Sequence, residues 1–315
     1  MVEFAKQDWL VQHRRQNKGR LKRALYFFLR PLLSRRYSRY LAPETITTCR
    51  PRWVLGSRGM PLETRRRWGA KYLPNLRHAT LLVQGTGTGW DVISWARLKP
   101  RRIIGTDMFP FEESWQEIAR YCLDRYRVPV EFRTAILEDH GFLDSGSVHL
   151  IASDAVYEHC KDLPRVMRES HRLLAPSGYL YASYGPLYCC AGGDHFSGRG
   201  GLAHSYNHLR LDQAAYHRYL AEYHKEVEDF QDGVRYLELD LFSRLTTGEY
   251  LAIYREAGFM VTELVLELSD EALAFKKQFP QEFREMVKRN AGRCGPDDFL
   301  IKAHLLILQK PEGPR

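Results

Sequence analysis

Beyond Arg77 the chain alternates between two hydrophobic patterns. Short continuous apolar runs of strand length end in glycine or a polar residue: ATLLVQG, RRIIGTD, PVEFRTA, VHLIASD, GYLYASYGP, FMVTELVLEL and LIKAHLLILQK. Between them apolar residues recur at helical spacing over Trp90 to Leu98, Glu112 to Arg127, Leu163 to Leu174 and Thr247 to Ala257, the last stopped by Gly258. Strand and helix in strict alternation predict an α/β fold, a parallel sheet with helices on both faces and seven strands. A charged helical insert around residues 270–294 separates the last two.

The segment from Cys189 to Arg244, rich in Gly, His, Tyr and Arg, is too long for a plain connection between strands five and six and predicts a functional cap. The organisation expected is therefore a basic N-terminal extension over 1–77, a core over 78–188, a cap over 189–245 and a C-terminal part of the core over 246–315. From Lys18 to Tyr40, KGRLKRALYFFLRPLLSRRYSRY mixes basic and apolar residues at helical spacing, broken at Pro31. Such a stretch can lie on an anionic membrane, grip phosphates, or pack its apolar side on the core.

At 315 residues, with 44% hydrophobic and 27% charged residues, the chain can bury a sizeable core and is neither disordered nor low-complexity. The net charge of +9 is uneven. Residues 1–77 carry 19 Lys and Arg against 4 Asp and Glu, whereas the remainder has 28 against 34 and is mildly acidic. The six cysteines are scattered without a C-x-x-C pair, so no disulfide framework is expected and a reducing, cytoplasmic setting is. No secretory signal pattern and no 18-residue apolar stretch is present, so neither export nor a membrane span is expected.

The first apolar run ends in Gly85-Thr86-Gly87-Thr88-Gly89, and Trp90 and Asp91 then open a helix. Glycines there permit a tight turn and close approach of a ligand, and the helix start offers free N–H groups. The second run ends in Gly105-Thr106-Asp107, which places a carboxylate where it can accept both hydroxyls of a ribose. This pairing suits a dinucleotide or a nucleoside sulfonium, although a dinucleotide fingerprint would carry its third glycine one residue later.

Taken together, LLVQGTGTG, IIGTD and SGSVHLIASDAVYEHCKDLPRVMRESHRLLAPSGYLYAS resemble the class I S-adenosylmethionine-dependent methyltransferases, with a methyltransferase type 11-like core. The resemblance runs from about Ala79 to Leu187 and from Thr247 to Lys310, and includes Glu158-His159 after the fourth strand. It implies a seven-stranded, Rossmann-like, doubly wound sheet that binds S-adenosyl-L-methionine. The cofactor residues it implies are Gln84, Gly85, Gly87, Gly89, Asp107, Met108, Glu138 and Asp154. Two positions depart from the family pattern. Val83 stands where an acid is usual, with Gln84 beside it. Ala135 and Ile136 stand near the end of the third strand, leaving Glu138 or Asp139 to face the adenine.

Methyl transfer from a sulfonium mainly requires nucleophile and methyl to be held in line in a water-poor site. An alcohol acceptor also needs its proton removed, and the cap supplies candidates. His195 is the expected base and Asp194 its orienter or the second candidate for base, with His159 and Tyr184 lining the acceptor pocket. His204 and His208 are spaced i, i+4 near Cys189 and Cys190, but this falls short of a tetrahedral zinc pattern, so no metal is expected.

The expected activity is O-methylation of a hydroxylated small molecule or a saccharide. Peripheral membrane contact through residues 18–40 would suit a lipid-linked acceptor. A nucleic-acid methyltransferase is the alternative raised by the basic segment, but SDAVYEH stands where an N-P-P-[YF]-type tetrapeptide would. A non-catalytic binding protein on a methyltransferase core is the alternative raised by Val83 and Ala135.

Overall fold

The computed structural model describes residues 52–55, 62–224 and 234–312. The basic stretch over 18–40, and the membrane contact expected of it, lie outside the described residues.

All seven predicted strands form: β2 (Thr80–Gln84), β3 (Arg102–Asp107), β4 (Val130–Thr134), β5 (Val148–Asp154), β6 (Leu174–Tyr184), β7 (Met260–Leu268) and β8 (Ile301–Gln309). An eighth, β1 (Arg52–Leu55), pairs in parallel with β7 and closes that edge. The order across the sheet is β1-β7-β8-β6-β5-β2-β3-β4. Among the described strands only β8 runs antiparallel, to both β6 and β7. The doubly wound sheet forms as expected, and it is mixed rather than purely parallel because a single strand returns between two parallel neighbours.

The side-chain alternation of β2 shows how the core is divided. Leu82 joins Ile104, Ile151, Val166 and Met167 on one face, whereas Leu81 and Val83 join Val92, Ile103 and Ile118 on the other. Helices cover both faces. Helix α1 (Leu62–Gly69), α2 (Trp90–Ala96) and α3 (Glu112–Tyr126) belong to the face of Leu81. On the face of Leu82 lie α4 (Leu163–Leu173), with Pro164 in its first turn and Asp162 capping Arg165 N–H at 3.0 Å, and a later helix over Thr247–Glu256. Thr246 and Glu249 form a reciprocal capping box at the start of that helix.

Helix α1 comes from the segment expected to be an attachment, yet its Arg66 is fully buried. Arg66 donates to Ser94 Oγ at 2.7 Å, to Asp91 Oδ1 at 3.0 Å and to Asp154 Oδ2, and lies over the Trp95 ring. Part of the basic segment is therefore a layer of the core.

The cap contains α5 (Asn207–Arg210), α6 (Gln213–Tyr223) and α7 (Val234–Glu238). The Thr247–Glu256 helix is accordingly α8, followed by α9 (Asp270–Gln278) and α10 (Pro280–Arg289) in the predicted insert. Cys189 and Cys294 form a disulfide that ties the start of the cap to the segment after α10. This corrects the expectation of unpaired cysteines: 105 residues separate the two, so spacing carries no sign of the pairing. Cys190 beside it stays a free, buried thiol.

His304 on β8 is completely buried, with Nδ1 2.8 Å from the Tyr184 hydroxyl, Nε2 3.1 Å from Thr247 Oγ1, and the Tyr250 ring edge-on. No charged partner faces it among these groups, and burial lowers its pKa to about 3. The unfolded chain takes up a proton near pH 6.5 that the folded chain refuses, so this stability is present above pH 6.5 and lost on acidification. Urea unfolding at pH 6.5 and 5.5 should show wild type losing about 1 kcal/mol more than His304→Gln. Equal losses in the two proteins would refute the assignment.

Candidate cofactor and acceptor site

A cavity of about 620 Å³ opens beyond the carboxyl ends of β2, β3, β4 and β5, where ligands of open α/β sheets bind. Its floor is the glycine turn between β2 and α2. Gly85 has φ +65°, and a Cβ there would come 2.3 Å from Val156 Cγ2, so conformation and space both require glycine. A Cβ at Gly87 would meet nothing within 4 Å, because that position faces the open cavity. Gly89 stands outside the lining and serves as the N-cap of α2.

Asp107, at the end of β3, is buried but lines the cavity. Its Oδ2 accepts the Gly87 N–H at 2.7 Å and its Oδ1 accepts the Phe109 N–H at 3.0 Å. Each oxygen keeps lone-pair capacity for a ligand hydroxyl. Trp115 on α3 fixes the turn from behind, donating Nε1–H to the Gly87 carbonyl at 2.8 Å and stacking on Phe132. Sequence reasoning passed over Trp115, whose helical spacing signals only a core position. Met108 and Ile136 line the cavity and remain half-exposed, offering apolar surface to a flat ring. Of the two acids offered for the third strand, Glu138 lines the cavity, whereas Asp139 caps the Gly141 N–H of its own loop at 2.9 Å.

Two residues assigned to the cofactor face elsewhere. Gln84 is completely buried, its amide accepting from the Tyr157 hydroxyl at 2.8 Å and donating to Ser170 Oγ at 3.3 Å. Asp154 accepts from Arg66 and from the Tyr181 hydroxyl at 2.9 Å and does not line the cavity. In each case the residue is spent on tertiary partners that the local motif does not contain.

At the other end of the cavity lie His159, Lys161 and Arg165 after β5, with Tyr236 and Leu241 from the cap. His159 stacks on Tyr236 at 4.3 Å, and its Nδ1 is 2.8 Å from the Leu241 carbonyl. The proton consequently resides on Nδ1 and Nε2 carries the free lone pair. His195, held at φ +62°, packs against this ring at 4.8 Å from outside the cavity lining. Burial lowers both imidazoles, His195 to about 4, with the neighbouring His159 adding to the effect. Both are neutral at pH 7.

The expected partnership of Asp194 with His195 does not form. Asp194 is fully buried and accepts from the N–H groups of Phe196 and Ser197, from Ser197 Oγ and from the Tyr216 hydroxyl. Burial alone would raise its carboxyl, but His208 and these hydrogen bonds outweigh that and hold it below the ordinary range. It anchors the cap loop. Tyr184 is likewise buried against Tyr254 and His304 rather than in an acceptor pocket. His204 and His208 turn to separate partners, Asn207 and Tyr188.

Glu158, quoted only as part of a motif, is buried beside His159, and burial pushes its carboxyl up to about 7. Its Oε1 accepts the Gly185 N–H at 2.8 Å.

Residues 82–182 match a family model described as a methyltransferase domain. No curated protein matches the chain. Among solved structures, a S-adenosylmethionine-dependent methyltransferase from Mesorhizobium loti is 18% identical, with 79% of this chain and 99% of that one covered and a TM-score of 0.45. The YcgJ protein from Bacillus subtilis is 13% identical, with 79% and 99% covered and a TM-score of 0.45. The [4+2]-cyclase SpnF is 15% identical, with 92% and 95% covered and a TM-score of 0.47. The glycine turn, Asp107 and a cavity at the strand ends fit a nucleoside ligand. The family-model match spans β2 to β6, so residues 82–182 are similar to a methyltransferase domain, a fold family that binds S-adenosylmethionine.

Proposed function

We propose that this protein transfers a methyl group from S-adenosylmethionine to an oxygen of a hydroxylated small molecule or saccharide. One observation carries the reading: a single cavity has the ribose-type carboxylate of Asp107 at one end and the neutral imidazole of His159 at the other. The cofactor supplies an electrophilic methyl on a sulfonium. The chain's own residues do the rest. Asp107 fixes the sugar, Met108 and Ile136 cover the base, and the cap residues Tyr236 and Leu241 exclude water from the acceptor end. His159, rather than His195, meets the acceptor, and its Nε2 accepts a hydrogen bond from the hydroxyl. Lys161 and Arg165 beside it favour an acceptor carrying negative charge.

Acceptor pools incubated with cofactor labelled in the methyl group should acquire label in an alkali-stable ether of an alcohol. Label only on nitrogen or carbon would remove the oxygen assignment, and no heat on titration with millimolar cofactor would remove the enzyme reading altogether. His159→Ala should lower turnover by about 10²–10⁴-fold while cofactor affinity stays close to wild type.

A further inference from the structure

At the acceptor end of the cavity His159 lines the wall, and behind it lie two further side chains with unused coordinating capacity. Glu158, His159 and His195 each present one ligand atom, and all three atoms lie within 4.8 Å of one another. Glu158 is buried; its Oε1 is taken by the Gly185 N–H, but Oε2 is buried with no hydrogen-bond partner. His195 Nε2 is buried without one as well. A buried polar atom left unsatisfied costs roughly 1–3 kcal/mol. Two at one point, beside an imidazole whose Nδ1 proton is tied to the Leu241 carbonyl, mark a place built for a cation.

We infer that Glu158, His159 and His195 bind a divalent transition-metal ion of the zinc or iron(II) class. Two imidazoles and one carboxylate are a donor set that these ions take, with at least one coordination position left open. The Leu241 carbonyl supplies the outer hydrogen bond that orients a metal-ligating histidine through its second nitrogen. His195 occupies a left-handed conformation uncommon for a non-glycine residue, and this backbone geometry carries its ring to the pair on the β5 side. Metal–ligand bonds of about 2.0–2.2 Å require the three donors to close up by about an ångström. The cap loop that carries His195 is the part that must move. Of the three, His159 lines the cavity, so the open position faces the acceptor. Metal binding engages the same His159 Nε2 that the methyl-transfer reading gives to the acceptor hydroxyl, so ion and hydroxyl compete for that lone pair, and the ion is therefore tested without acceptor or cofactor present.

The test uses the full-length protein stripped with a chelator and titrated with zinc against a chromophoric competitor, and with cobalt(II) for its visible absorption bands. One equivalent of tight binding is expected. His195→Gln, His159→Ala and Glu158→Gln should each weaken it by more than about 100-fold, beyond the effect of losing an outer partner alone. Glu158→Gln keeps an acceptor for Gly185 N–H and removes only the charge. Thermal melting reports whether each variant is folded, and binding of S-adenosylhomocysteine, read separately, reports on the cofactor site. Absence of zinc and cobalt binding in the wild type, or binding that folded variants retain, would overturn the inference.

Discussion

Replacing Arg66 by Met should cost about 3–5 kcal/mol of folding stability, the range for removing one partner of a buried ion pair. Arg66 is completely enclosed, and burial alone would lower its pKa, but the carboxylates of Asp154 and Asp91 outweigh this and raise it. Met fills much of the same volume, so the effect is one of charge and hydrogen bonding rather than of a cavity. It leaves Asp154 and Asp91 without their shared cation and Ser94 without its donor. The double variant with Asp154→Asn should be less destabilised than the two single losses predict together, since the groups touch. Urea unfolding measures both. A loss below about 1 kcal/mol for Arg66→Met would mean that solvent or a neighbour compensates the carboxylates, and the network would then carry little of the stability.

The second large effect is on cofactor binding. Asp107→Ala removes an ionised acceptor from both ribose hydroxyls and should weaken S-adenosylmethionine by about 10²–10³-fold, taking roughly 1.5–2 kcal/mol for each hydrogen bond to a charged group. It also frees the N–H groups of Gly87 and Phe109, so the glycine turn loosens. Asp107→Asn retains one accepting oxygen and should fall between variant and wild type. Calorimetric titration decides the point. Unchanged affinity in Asp107→Ala would place the ligand elsewhere and undo the cofactor geometry described above.

The strands β2 to β8, the helices between them and the glycine turn were legible along the chain because each depends on local periodicity or on a backbone conformation that a short motif specifies. The place of Asp107 and Met108 at a strand end, where the cavity opens, was legible for the same reason. The side chains that could be misjudged were those whose partners are distant. Gln84 and Asp154 sit where a motif would place ligand contacts, yet Tyr157, Ser170 and Arg66 claim them. Asp194 adjoins His195 in sequence, yet its carboxylate is consumed by the turn that follows and by Tyr216.

The sequence by itself determined the order of elements, the sheet they form and the glycine turn after β2, because periodicity and glycine act over a few residues. Tertiary structure alone decided which charged and polar groups are satisfied and which are left over. Arg66 entered the core, Cys189 met Cys294 across 105 residues, and His195 came to rest beside Glu158 and His159. Hydrogen bonds and ion pairs form between whatever atoms the packing brings within about 3 Å, a condition that spacing along the chain does not encode.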